Sequence, residues 1–263
     1  VTVVDLNHGS GCIPGCGGIL KAPSPGGAGQ LRGFATLSER VNACIDSALV
    51  EARNAESRRT YIGASMLADP CARRVAYAWR GEPGAPLEGR SLRIFATGHA
   101  LERLLASWLE RAGFDLRTID PATGEQYAFR DGPIEGHTDG VIIAGPDLGF
   151  AYPVLWEAKG LNDRSWQDTV KNGVRVSKPV YYGQCCLYMA YFDIEACLFS
   201  ALNKNDQSIY HELIPLDLAE AQRLVDRAVG IVRGSLPPRI ALAPTRMCAF
   251  CQFNAQCWEE EHD

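Results

Sequence analysis

The chain has no apolar run that approaches the length of a membrane span. It also lacks the basic segment and apolar stretch that open a secretory signal. Both absences point to an intracellular, cytoplasmic protein with no membrane partner. An excess of basic residues is missing too: formal net charge is −5, so the whole chain does not attract nucleic acid. A protein that keeps carboxylates at its centre for a metal ion shows the same deficit, and then only a local basic surface counts. Such clusters are present at Arg73, Arg74 and Arg80, at Arg90 and Arg93, and at Lys171, Arg175 and Lys178. There is no Gly-x4-Gly-Lys-(Ser/Thr) loop, which excludes a P-loop motor within this chain. No internal repeat is visible, which excludes a solenoid.

Cysteine is the residue in surplus, with ten copies. A disulfide framework is not expected at 263 residues without a secretory signal. Metal or cluster ligation explains an uneven, partly clustered set better. Cys44, Cys185, Cys186 and Cys197 lie in or beside apolar stretches, where burial as small hydrophobes is expected. Cys12 and Cys16 have no partner pair nearby and stay unassigned.

The first 35 residues are rich in Gly, Pro and Ser and read as a flexible arm. The remainder, 36–263, reads as one folded domain. A helix is predicted from about Leu37 to Ser57, with Thr36 or Ser38 near its start. Ser65–Cys71 leads into a helix over Ala72–Trp79, and another runs from about Ile94 to Ala112, ended by Gly113. In the latter, Leu101, Leu104, Leu105, Trp108 and Leu109 recur at helical spacing, with Glu102 among them. Short strands follow at Tyr127–Arg130, Ile134–Ile143 and Val154–Ala158. Pro179 precedes an apolar helix over Val180–Phe192. A strand pair, Ala196–Leu202 and Ser208–Leu213, turns at Asn205-Asp206. Asp217 and Glu220 form a capping box for a helix to about Val232. Cys248–Cys257 closes the domain as a compact cysteine-bearing knot.

Two segments carry candidate chemistry. Gly136-His137-Thr138-Asp139-Gly140 precedes an apolar strand, and Leu155-Trp156-Glu157-Ala158-Lys159 forms another. If the two pair, Asp139 and Glu157 converge on a hard divalent cation, which prefers carboxylate oxygens. Side chains alternate along a strand, so Glu157 and Lys159 face one way. A carboxylate and an ammonium are then presented together, suited to activating water and neutralising charge at phosphorus. Ala158 points elsewhere and offers its backbone carbonyl as a further ligand.

These segments resemble the PD-(D/E)xK nuclease superfamily, in its RecB-like branch. The resemblance implies an α/β fold: a restriction-endonuclease-like core with a central mixed sheet flanked by helices. Asp139 matches the metal-binding aspartate, and Glu157 with Lys159 matches the (D/E)xK pair. Gln184-Cys-Cys-Leu-Tyr188 matches the Gln-x3-Tyr mark of a following helix, and its spacing places Gln184 and Tyr188 on one face. The family's upstream Gly-x3-His becomes Gly98-His-Ala-Leu-Glu102 here. Glu102 therefore takes the ligand position, with His99 as its rival, turned roughly 60° away on the helix. Ser177–Gln184 and Leu202–Asp206 are similar to phage-encoded RecB-like nucleases, and the likeness spans about residues 60–260.

The tail reads Cys248-x2-Cys251-x5-Cys257. Three cysteines leave a tetrahedral site one ligand short. Pro70-Cys71-Ala-Arg-Arg-Val-Ala-Tyr resembles the start of the cluster site in CRISPR-associated RecB-like nucleases and AddB, which carry one cysteine before the core and three after it. This implies a four-iron, four-sulfur cluster on Cys71, Cys248, Cys251 and Cys257, joining the N- and C-terminal segments. Zinc on the same four thiolates is the rival.

The activity implied is a Mg²⁺- or Mn²⁺-dependent DNA exonuclease acting on single strands or ends, in recombination, repair or phage DNA processing. A helicase or recombination protein would be a separate chain. Trp79, Trp166, Tyr181 and Tyr182 are candidates for stacking on unpaired bases. Other readings are a non-catalytic DNA-binding or assembly module and an accessory nuclease in CRISPR spacer acquisition.

Overall fold

The computed structural model describes residues 36–56 and 59–259; the arm, with Cys12 and Cys16, lies outside the described residues. In chain order the elements are α1 (Leu37–Ala55), β1 (Ile62–Gly63), α2 (Ala64–Leu67), α3 (Ala72–Arg80) and α4 (Gly89–Arg111). Then come β2 (Asp115–Arg117), β3 (Ala128–Asp131), β4 (Ile134–His137), β5 (Gly140–Ala144) and β6 (Val154–Leu161). The rest is α5 (Asp163–Ser177), α6 (Pro179–Phe192), β7 (Ala196–Asn203), β8 (Ile209–Pro215), α7 (Leu218–Arg233) and α8 (Asn254–Glu259). A 3₁₀ turn, Cys248–Phe250, precedes α8.

A five-stranded mixed sheet runs in the order β2-β5-β6-β7-β8, and a three-stranded sheet in the order β1-β4-β3. Within the larger sheet β6 and β7 are parallel, and the other neighbours are antiparallel. A parallel pair needs a crossover, and α5 and α6 supply it. The sheet has helices on both faces. On one, Leu105 and Ala106 of α4 join Ile142, Trp156 and Leu198 in a core. On the other, Leu187 and Met189 of α6 join Leu155, Phe199 and Leu224. Every residue of α6 from Tyr182 to Met189 is buried, as expected for a helix with protein on all sides. Among the described residues no helix is long and apolar enough to cross a membrane.

The expected apolar strand over Ile134–Ile143 is two strands in different sheets. β4 pairs with β3 and β1, while β5 pairs with β2 and β6. The chain changes sheets at Thr138-Asp139. Asp139 is therefore at a bend ahead of β5 and not within a strand. Helix α5 was not expected from the sequence. Its course is broken at Gly173, whose φ of 72° is the left-handed region that glycine adopts at little cost. Helix α4 begins well before the predicted Ile94. Cys185, Cys186 and Cys197 are buried as expected, but Cys44 is exposed. Helix α1 has no buried residue, so its apolar positions contribute nothing to the two cores. Thr36 caps α1, its hydroxyl accepting from Glu39 N–H while the Glu39 carboxylate accepts from Thr36 N–H.

Candidate functional site

The bend that carries Asp139 is held from within. Thr138 is fully buried, and its hydroxyl lies 3.3 Å from the Gly140 carbonyl and 3.4 Å from the Trp156 carbonyl. Pairing of β5 with β6 sets Gly140 opposite Trp156. Asp139 is thereby brought against β6, where its Oδ2 accepts from the Ala158 N–H at 2.8 Å. Glu157 and Lys159 project to the same side of β6, as their spacing predicts, and form an ion pair. The Lys159 ammonium stands 3.9 Å from Asp139 Oδ2. It also donates to the Ala158 carbonyl at 3.1 Å, so that carbonyl is already engaged and only its second lone pair is open.

Helix α6 packs on the face to which Glu157 and Lys159 project. The Gln184 amide donates to Glu157 Oε1 at 2.8 Å and to the Tyr188 hydroxyl at 3.1 Å. Both residues are buried and share one helix face, as predicted. Glu157 Oε2 is buried with no hydrogen-bond partner, an expensive arrangement for a carboxylate. The Tyr181 ring lies over Lys159, with Nζ 5.3 Å from its centroid.

From α4, Glu102 comes near enough for Asp139 and Lys159 to act on its ionisation. Gly160 leaves room beside α4: a Cβ there would stand 2.7 Å from Leu101 Cδ1, and that side chain would have to shift. His99 is mostly exposed, with Nδ1 3.7 Å from Glu102 Oε2.

The electrostatics follow from three carboxylates and one ammonium in partial burial. Burial first, then Asp139, pushes the Glu157 carboxyl up to about 8. Burial and Asp139 also raise Glu102. Burial pulls Lys159 downward, but Glu157 and Asp139 outweigh it and keep the ammonium protonated above the usual lysine range. Burial lifts the Tyr188 phenol. Among the described residues no three His, Cys, Asp or Glu side chains already converge as ligands of one ion. Glu157 Oε1 is engaged with Lys159 and Gln184, and Asp139 Oδ2 with the Ala158 N–H. As a donor set, hard carboxylate oxygens with an excess of negative charge fit Mg²⁺ or Mn²⁺, and the orphaned Oε2 fits the same ion.

Cys71, Cys248, Cys251 and Cys257 line one cavity. Cys71 precedes α3, Cys248 and Cys251 bound the 3₁₀ turn, and Cys257 lies in α8. Arg73, Arg74 and Arg239 line the same cavity, and the Arg74 guanidinium acts on Cys251. Cys251 is raised by burial, whereas Cys248 is lowered by the Thr245 hydroxyl and backbone. Soft sulfur donors with a cation beside them suit a thiolate-ligated centre.

Sequence reasoning passed over Asp69. Its Oδ1 accepts from the Cys71 N–H at 2.8 Å, and its carboxylate pairs with Arg74. Arg227 of α7 donates to the Leu67 carbonyl at 2.9 Å and to the Asp69 carbonyl. The turn that presents Cys71 is thus fixed from three directions. An aspartate bonding the N–H two residues ahead is a readable turn signal, and Asp69-Pro70-Cys71 carried it. Of the four suggested stacking aromatics, Tyr182 is buried with its hydroxyl on Asp217 at 3.0 Å, and the Trp166 indole donates to the Ala201 carbonyl.

No protein-family model and no curated protein matches the chain. Among solved structures it is similar to SSO0001, at 19% identity and a TM-score of 0.46, over 85% of this chain and 96% of that one. It is also similar to an alkaline exonuclease, LHK-Exo, from Laribacter hongkongensis. There identity is 18% and the TM-score 0.46, over 71% of this chain and 90% of the exonuclease. The same exonuclease in complex with dAMP gives 19% and 0.46, over 66% and 87%. Likeness at this level does not assign an activity.

Proposed function

We propose that this chain is a divalent-metal-dependent DNA exonuclease. The observation that carries the reading is the constellation at β6: a buried carboxylate with one unpartnered oxygen, a second carboxylate, and an ammonium between them. Asp139, Glu157, Glu102 and the open lone pair of the Ala158 carbonyl would hold Mg²⁺ or Mn²⁺. When bound, the cation supplies charge neutralisation at the phosphate and a more acidic water. Hydrolysis places a water oxygen on phosphorus and expels the sugar oxygen. The charge that grows on the phosphoryl oxygens falls beside the Lys159 ammonium, which its carboxylate neighbours keep protonated. Gln184 holds Glu157 in place, and Tyr188 holds Gln184.

Cys71, Cys248, Cys251 and Cys257 would ligate a four-iron, four-sulfur cluster that joins the start of α3 to the C-terminal segment. The four sulfurs line one cavity, and zinc on the same four thiolates is the rival. The substrate in this reading is single-stranded DNA or a DNA end, processed in recombination, repair or phage DNA metabolism.

Digestion of 5′- and 3′-labelled single- and double-stranded DNA, with Mn²⁺, Mg²⁺ or EDTA, tests it. The expected result is a cation-dependent ladder that starts from one end. Intact DNA with both cations, or equal cleavage by the Asp139→Ala and Lys159→Ala variants, would refute the assigned site.

A further inference from the structure

A second cavity, of about 740 Å³, adjoins the cysteine cavity and shares Arg74 and Phe253 with it. Its lining comes from the α2–α3 segment, the N-terminal half of α4, the α5–α6 junction and the 3₁₀ turn between Cys248 and Cys251. Two features set it apart from an ordinary surface groove. Phe250 and Phe95, both on its lining, are 81% and 53% exposed, although phenylalanine is usually buried. Tyr181, also on its lining, is the residue whose ring lies over Lys159. Tyr181 therefore stands between the cavity and the candidate catalytic ammonium.

Helix geometry gives the same direction. Phe95 and Glu102 are two turns apart on α4 and fall on nearly one face. A ligand lying along that face from Phe95 arrives at Glu102 and Asp139. Arg74 and Lys178 line the cavity as well. Arg74 pairs with Asp69, which lines the cavity too, and Lys178 pairs with Asp168 and donates to the Ser177 carbonyl at 3.0 Å; each cation keeps donors beyond these.

We infer that this cavity is a binding path for single-stranded nucleic acid, with Phe95 and Phe250 as stacking platforms that feed the strand past Tyr181 to Lys159. The inference rests on the nuclease reading above and adds the route and the residues that select an unpaired strand. Exposed aromatic rings beside cationic side chains match a ligand of flat apolar bases on an anionic backbone. In a duplex those base faces are already stacked and a ring cannot reach them. The path also gives the 3₁₀ turn a role: the segment bearing Cys248 and Cys251 holds Phe250 at the mouth of the cavity.

The test is fluorescence anisotropy with a labelled oligothymidylate in EDTA, where cleavage is blocked, using the full chain. Phe95→Ala and Phe250→Ala should each weaken binding by roughly 5- to 150-fold, the equivalent of losing one stacked base. Phe→Trp at either position should retain affinity, and Phe→Leu should lose it as alanine does. Both residues are exposed, so melting temperatures should stay with the wild type. Unchanged affinity in both alanine variants overturns the path. So does full affinity with leucine, which means apolar contact without stacking, or equal binding of a duplex. Wild-type protein that binds as expected but leaves labelled DNA intact with Mn²⁺ overturns the nuclease reading alone. Wild-type cleavage with unaltered binding in the variants overturns the path alone.

Discussion

The amide of Gln184 bridges Glu157 and the hydroxyl of Tyr188, at 2.8 Å and 3.1 Å. One side chain on α6 thus spends both its N–H donors on two buried partners, and the orientation of the Glu157 carboxylate is set from a different element.

That relationship makes Gln184 a positioning residue in the proposed site. Gln184→Glu keeps the shape but replaces the donor with a fourth carboxylate at the site, directly against Glu157. Cation-dependent cleavage should fall by about 10- to 100-fold, the usual effect of disturbing a group that orients a metal ligand. The rate of product release from labelled single-stranded DNA measures it, and a variant as fast as wild type would remove Gln184 from the site.

Lys159 balances two carboxylates in a partly buried setting. Above about pH 8, where Glu157 is ionised in the wild type, Lys159→Met removes its counter-charge and should destabilise the cation-free protein by up to about 3–5 kcal/mol. Adding Glu157→Leu in the same chain removes the stranded charge and should restore most of that loss. Urea unfolding of the single and double variants provides the comparison. A double variant no more stable than Lys159→Met would contradict the argument.

The cysteines divide into groups with opposite expectations. Cys71→Ala and Cys257→Ala should abolish the broad visible absorption of anaerobically purified protein and lower its iron and sulfide content. Cys44→Ala, at an exposed position, should leave both unchanged. A colourless wild type with stoichiometric zinc would replace the cluster by the rival metal.

Alkaline pH should unfold the protein through buried thiol and phenol groups. Burial pushes the Cys186 thiol from its ordinary 9.0 up to about 12, and burial likewise raises Tyr182 and Tyr191. The folded state then binds more protons than the unfolded chain, so stability falls as pH rises. For Cys186 the contribution is complete below pH 9.0 and disappears as pH climbs toward about 12. The slope should approach 1.4 kcal/mol per pH unit for each such group. Urea midpoints across this range should decline less steeply in Cys186→Ala. An identical decline would rule out the thiol as a contributor.

Local patterns made much of this molecule readable. Alternation on β6 put Glu157 and Lys159 together, helical spacing put Gln184 with Tyr188, and capping residues marked α1 and α7. The unread parts depend on distant partners. Helix α5 carries an Asn172-Gly173 turn signal in its middle, and the chain re-enters the helix because the Glu212 carboxylate on β8 accepts from Val174 N–H at 2.8 Å. The bend at Thr138-Asp139 interrupts what reads as one apolar strand, since β4 and β5 belong to different sheets. Cys44 sits on an apolar stripe that the sequence assigns to a core, but α1 lies outside both cores. The shared cavity of Cys71 with the distant tail cysteines was legible through resemblance and not through spacing.

The position of Cys71 at the entrance to α3, opposite three sulfurs near the far end of the chain, also fixes an order of events. During synthesis Cys71 emerges early and waits while both sheets are made. Its companions appear only after α7 is complete. A cluster seated on all four sulfurs would therefore report synthesis through Cys257, since a product truncated before Cys248 retains Asp139, Glu157 and Lys159 but cannot close the thiol cavity or present Phe250.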